Sequence, residues 1–295
     1  MTDDDDFAAY QSLAEETEDH RWAFGTGFSD PLEGIDTSVP AGVDAAALAA
    51  YCLALGDDAL IYSHRLQQWV TRMPELEEET ALANIALDLL GQARLLLSRA
   101  GQAEGAGRDE DRLAFFRTEG EFRNVRLVEA ADADFAELAG RLLVFSAWRL
   151  ALFGELTGSA DPVLAAIAGK GVKELAYHRD YAAQWVIRLG DGTELSHARM
   201  QAALAVIWPL FDELFRADAV AARLPGAAAD PAGLRAEVDG VLDAVLGAAT
   251  LDRPEGAPMA PVAGQTGRQG VHTEALGYVL AELQSVARAY PDATW

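Results

Sequence analysis

Glu174 and His178 lie four residues apart in the stretch KELAYHRDY, Lys173–Tyr181. On a helix, residues at that spacing point the same way. A carboxylate and an imidazole on one helix face are donor types that hold paired divalent metals inside a helical bundle. The carboxylates bridge and neutralise the metals, and each His adds one nitrogen. Such cages use two Glu-x-x-His pairs, spaced three, and one further Glu from each of two other helices. Three residues after Glu174 stands Tyr177, and His178 lies about 100° further round the helix.

The remaining donors are sparse. The matching carboxylate on a second helix is Asp88, one methylene shorter than Glu, and three residues on comes Gly91, which offers no ligand. A first helix carries Asp57 and Asp58, and a third offers Glu155, with Ser146 or Arg149 further in. The literal Glu-x-x-His of the chain, Glu194 to His197, opens a helix after the turn GDGT, where Glu suits the positive end of the dipole. The residues therefore predict no metal and no catalytic group in this chain, with Asp88, Gly91, Glu174 and Tyr177 as vestigial positions. A buried carboxylate needs a partner. For Asp88 that partner is a cross-bundle Arg or Tyr, and for Glu174 it is Lys170 or His178. The rival reading is a di-metal oxygenase using Asp88, Glu174 and His178 in an unusual register. No serine sits at a strand-turn-helix elbow, and GQTGRQG lacks the lysine of a phosphate loop.

The elements that would position these groups are helical almost throughout. Apolar periodicity runs from Asp44 to Pro74, from Glu75 to Gly101, from Asp134 to Ser159 and from Asp161 to Gly192. Asp161 reads as an N-cap with Pro162 behind it, and Gly190 as the end of that helix. A fifth helix opens at Thr193. Two weaker helices, 230–251 and 272–290, flank a Pro/Gly-rich loop from Leu251 to Gly270. Long helices joined by loops predict an all-α, antiparallel four-helix bundle with additional C-terminal helices. A helical solenoid is the alternative. Residues 1–43, acidic and then rich in Gly, Pro, Ser and Thr, read as a partly disordered extension to a helical domain spanning 44–295.

Composition limits the function classes. The net charge of −24 argues against nucleic acid and anionic membrane surfaces, which select basic patches. No uninterrupted apolar run reaches the roughly 20 residues of a membrane span. The single Cys52 excludes an internal disulfide and suits a reducing cytoplasm. Against this acidity stands FFRTEGEFRNVRLVE, Phe115–Glu129, where Arg117, Arg123 and Arg126 alternate with Phe115, Phe116 and Phe122. Arg and aromatic side chains together suit a partner interface, an anionic ligand or local salt bridges.

The ordered blocks LGDDALIYSHRLQQW, PELEEETALANIALDLLGQAR, DEDRLAFFR, KELAYH, RLGDGT and GVHTEALG resemble the family of non-catalytic C subunits of the ring 1,2-phenylacetyl-CoA epoxidase. The resemblance spans residues 45–295. It implies a ferritin-like bundle without a working metal centre. It further implies a structural subunit that pairs with and stabilises the di-iron catalytic subunit, with a small bridging subunit joining them. A reductase bearing flavin and iron–sulfur centres would complete the complex in aerobic phenylacetate degradation. The chain would then be a component of an oxygen-dependent monooxygenase without itself being catalytic. If it touches phenylacetyl-CoA, the three Arg of Phe115–Glu129 in an acidic chain direct attention to Glu121, Phe122, Arg123 and Asn124, with Arg117 and Arg126 nearby. The other function class is a free-standing helical binding protein.

Overall fold

The structure is a computed structural model that describes Leu32, residues 34–73 and residues 75–293. Among the described residues it is built of α-helices and short 3-10 turns, with a lone bridge between Val262 and Gln265 and no strand. Four long helices form the core: α1 (Ala45–Val70), α2 (Leu76–Glu104), α4 (Phe135–Leu156) and α5 (Pro162–Gly190). Between α2 and α4 run the short α3 (Glu110–Phe115) and two 3-10 turns. The sequence predicts mixed helical turns for that stretch.

Short loops make α1–α2 and α4–α5 antiparallel hairpins. Asp88 meets His178 while Gln92 meets Glu174, so α2 and α5 run in opposite senses. The Tyr62 and Phe145 rings meet at a tilt, centroids 4.6 Å apart, while Leu55 meets Arg149, so α1 and α4 also oppose. The order is thus up, down, down, up, with the long 105–134 connection crossing between the hairpins. This is the ferritin-like arrangement.

Local chemistry sets the helix limits. Asp44, Asp134 and Asp161 each accept a backbone N–H of the first turn that has no intrahelical acceptor. Pro162 fills the first helical position of α5. At Thr193 the capping box is closed by Ser196 rather than by Glu194. The fifth helix is shorter than its periodicity suggests. α6 (Glu194–Ile207) gives way to a 3-10 stretch, Trp208–Phe215, where Pro209 has no N–H to donate. α7 (Arg235–Ala248) and α8 (Glu274–Ala289) complete the fold.

α1 and α4 are the central helices and are buried for most of their length. α6 packs against α4 so tightly that a Cβ on Gly140 would meet Met200 and Ile207 side chains at 2.9 Å. By length and composition α1 and α2 are each apolar enough to cross a membrane, although neither has an uninterrupted apolar run. Most of the apolar window of α1 is buried within the fold, beside the inward-facing Asp57 and Asp58.

Residues 1–31 and 33, which hold most of the expected acidic extension and its disorder, lie outside the described residues. Residues 34–43 belong to the same compact unit as the bundle. Arg99 on α2 donates to the carbonyls of Thr37 and Ser38. It also forms a buried ion pair with Asp161. That pairing ties the start of α5 to α2.

Candidate functional site

The bundle interior brings together Gln92, Arg149 and His178, with Asp88 and Glu174 half-buried at the α2–α5 seam. Arg149 comes from α4 and is fully buried. Its Nε donates to Gln92 Oε1 at 2.9 Å and its Nη2 to the Leu55 carbonyl at 3.2 Å. Phe145 and Phe153 flank the guanidinium at 5.6 and 4.5 Å from their ring centroids. Gln92 in turn donates Nε2 to Glu174 at 3.0 Å, and Lys170 reaches the other Glu174 oxygen at 3.3 Å. One turn away His178 Nε2 lies 3.0 Å from Asp88 Oδ2.

The charge arrangement inverts that of a metal cage. A cage surrounds divalent ions with anionic oxygen, whereas here a fixed guanidinium sits in the interior with an amide as its nearest side-chain partner. Burial holds Arg149 down at about 10 from its ordinary value, against the pull of Asp58. Its Nη1 has no hydrogen-bond partner among the described residues. A second cation there would meet direct repulsion in a low-dielectric interior. Glu174 is already held by Gln92 and Lys170, and Asp88 by His178. The described residues include no cluster of three or more His, Cys, Asp and Glu placed to hold a metal. The residues present do not fit a di-metal centre.

The structure also resolves the register. Spacing three from the carboxylates selects Gly91 and Tyr177, but the inward groups stand four away. These are Gln92, 3 % exposed, and His178, 1 % exposed. Tyr177 is 51 % exposed, and the space above Gly91 is open. Asp88 pairs with a histidine rather than with Arg or Tyr, and Glu174 takes Lys170 rather than His178. Ser146 turns back to the carbonyls of Leu142 and Leu143 on its own helix, and Glu155 is exposed. The signal for Arg149 lies in VFSAWRLALF, an Arg inside an apolar helix. Sequence reasoning weighs that Arg only as a failed ligand.

Asp57 and Asp58 face a second polar region, where α1 meets the 117–125 segment. Asp57 pairs with Arg117 at 2.9 Å and accepts the Arg123 N–H. Asp58 pairs with Arg268 at 2.8 Å and accepts the Val125 N–H. Burial raises the Asp58 carboxyl above the ordinary range, and Arg268 opposes that rise. Arg126 is buried against Glu213 at 2.6 Å. Two of the three Arg in the segment therefore hold internal carboxylates, and local salt bridging accounts for both.

Of the four residues considered for substrate, Glu121 is exposed and Arg123 half-buried, whereas Phe122 and Asn124 are fully buried. Phe122 lies under the Arg117 guanidinium at 4.1 Å. Asn124 donates to Glu129, and His272 meets the same carboxylate at 2.6 Å. Arg123 Nη1 donates to the Gly120 and Phe122 carbonyls, which curls the side chain over its own turn. Trp148 and Trp208 are core residues, while Trp69 and Trp185 are half-buried. Cys52 is buried, and burial pushes its thiol up, so it is no nucleophile at neutral pH.

Comparison with known proteins bears on what such a bundle does. The sequence profile of the family described as "Phenylacetic acid catabolic protein" matches residues 35–295. A curated relative, the C subunit of the 1,2-phenylacetyl-CoA epoxidase of Escherichia coli (strain K12), is 45% identical over 251 residues. That alignment covers 84% of this chain and 99% of the relative.

Proposed function

We propose, from the fact that this chain belongs to the phenylacetic acid catabolic protein family, that it is the non-catalytic structural subunit of a 1,2-phenylacetyl-CoA epoxidase complex. In that role it pairs with and stabilises the di-iron catalytic subunit during aerobic phenylacetate degradation. The observation that carries this reading is Arg149, a cation held where a catalytic bundle of this architecture would hold its metals. The interior thereby becomes a rigid, charge-balanced support that needs no cofactor of its own. Iron in the catalytic subunit, a small bridging subunit, and flavin and iron–sulfur centres in a reductase complete the proposed complex. We place it in the cytoplasm.

Co-expression with a homologue of the catalytic subunit, followed by metal analysis of each separated chain, tests the proposal. A stable complex whose iron tracks with the catalytic subunit is the expected result. Close to two irons per copy of the present chain would replace the proposal with a di-metal oxygenase. Failure to form any complex would leave a free-standing binding protein.

A contact with the acyl-CoA substrate is a separate part of the proposal. Glu121 and Arg123 would supply its outer surface, over the buried Phe122 and Asn124. Arg123→Ala is then expected to weaken binding of the CoA ester by the assembled complex while assembly persists. Unchanged affinity removes the contact.

A further inference from the structure

The chain contains 23 basic residues, of which only Lys170 and Lys173 are lysine. Both lie on the outer side of α5. Lys170 is drawn toward Glu174 at 3.3 Å. Lys173 is exposed and has no hydrogen bond or ion pair among the described residues. One turn along stands Tyr177, 51 % exposed. Across the seam marked by Asp88–His178 and Gln92–Glu174, α2 presents Leu87, 55 % exposed. Two turns further along α2 is Arg94, its side chain 70 % exposed and 3.4 Å from Glu110. A Cβ on Gly91 would meet nothing within 4 Å among the described residues.

On a chain of net charge −24, these residues set two exposed apolar side chains beside Lys173, which has no partner among the described residues, while Lys170 and Arg94 are paired with Glu174 and Glu110. An exposed Tyr and Leu separated by an open glycine suit the close approach of another helix, and aromatic residues are enriched where proteins meet. Lys173 selects the partner. A second copy would oppose these cations to one another across a two-fold axis and bring two strongly acidic bodies together. A chain that surrounds its own apolar strip with carboxylates gains on both counts.

We propose that the outer α2–α5 face, centred on Leu87, Tyr177 and Lys173, docks an acid-rimmed helical surface of the catalytic partner. This rests on the reading of the chain as a structural subunit of the epoxidase, and it assigns that pairing to a surface. Lysine suits the task because its flexible stem and compact charge reach a carboxylate without a fixed planar geometry. The seam lies directly beneath, so the internal ladder that replaces metal ligation also stiffens the docking face.

The scarcity of lysine makes the face measurable. Acylation with an amine-reactive reagent reaches only Lys170, Lys173 and the chain's amino terminus. In the complex with the di-iron catalytic subunit, mass spectrometry should show Lys173 protected at least tenfold relative to the isolated chain. Lys173→Glu and Tyr177→Glu, each checked for native helix content, should each weaken pairing at least tenfold, whereas Lys173→Arg should retain it. The inference is overturned if the wild-type chain pairs while Lys173 stays fully reactive and both variants pair normally. It is also overturned if the isolated chain is a dimer that Lys173→Glu dissociates, since the occupant is then a second copy. Absence of wild-type pairing instead rejects the structural-subunit reading itself.

Discussion

Arg149 donates its Nε hydrogen to Gln92 Oε1 across 2.9 Å, joining a cation of α4 to an amide of α2 inside the bundle. Gln92 passes that connection to Glu174 through its other amide atom. The amide is thus a bridge between a buried cation and a carboxylate. Gln92→Leu removes the bridge and leaves both charges short of a partner. A hydrogen bond to a charged group contributes about 1.5–3 kcal/mol, so a loss of that order is expected in denaturant unfolding. Adding Arg149→Met should recover part of it, because the stranded cation goes too. A coupling of at least about 1 kcal/mol in the double-mutant cycle is expected, and strict additivity would refute the bridge.

Gly171 makes room for the ring that covers this cation. A Cβ built there would lie 2.6 Å from two Phe153 ring atoms, and Phe153 stacks over Arg149 at 4.5 Å. The ring is fully buried between the Arg149 guanidinium and the α5 backbone at Gly171, with little freedom to retreat. Gly171→Ala is expected to cost about 1–3 kcal/mol despite the better helix propensity of Ala. Phe153→Leu in the same chain should return part of that loss. If Gly171→Ala raises the melting temperature, the contact is softer than the geometry requires.

Much of this is legible in the sequence. The cap at Asp161, Pro162 at its helix start and the apolar periodicity, which begins at Asp44 and Asp134, place the four long helices within a few residues. These signals act through local backbone chemistry. The site is less legible because it depends on which of two adjacent residues turns inward. Gly91 or Gln92, and Tyr177 or His178, differ by about 100° of helix rotation, and that rotation is set by tertiary packing. Arg117 and Arg126 pose a related difficulty. Their carboxylates, Asp57 and Glu213, stand 60 and 87 residues away in sequence, beyond any local pattern.

Arg268 makes the C-terminal loop part of the core. It contacts both oxygens of Asp58 and the carbonyls of Ala54 and Arg123. Arg268→Ala leaves the fully buried Asp58 carboxylate with only the Val125 N–H among the described residues. Breaking a buried pair from one side costs about 3–5 kcal/mol. The sign with pH follows from the raised Asp58 carboxyl. A folded value above the unfolded one penalises the ionised form. The variant's deficit should therefore be largest at neutral pH. It should shrink as pH falls through the folded value, because Asp58 takes up a proton. Urea unfolding of both proteins from pH 7 toward pH 4 measures this. A deficit that grows on acidification would show that Asp58 is not the stranded group.

Tyr62 is fully buried, and its hydroxyl has no hydrogen-bond partner among the described residues. Burial raises its pKa well above the ordinary value, Asp132 pushes it further, and Arg141 opposes. Burial likewise raises Tyr51 and, with Glu78, Tyr181. For each, the folded value exceeds the unfolded value of about 10. Their contribution is complete below about pH 10 and is lost as pH rises through the folded values. Arg149 works in the opposite sense. Its folded value is lowered to about 10, so the cost of burying its charge is relieved above that pH and offsets one tyrosine. The net expectation is alkaline unfolding that steepens above about pH 10. Tyr62→Phe removes one titrating phenol and one unpaired hydroxyl together. Its stability at pH 7 should be unchanged or higher by about 1 kcal/mol. Its loss above about pH 10 should be shallower by up to about 1.4 kcal/mol per pH unit. Guanidinium titrations at pH 7 and above pH 10 would reveal both effects. Destabilisation at pH 7 by more than about 2 kcal/mol would instead mean that the hydroxyl has a partner, such as buried water, in solution.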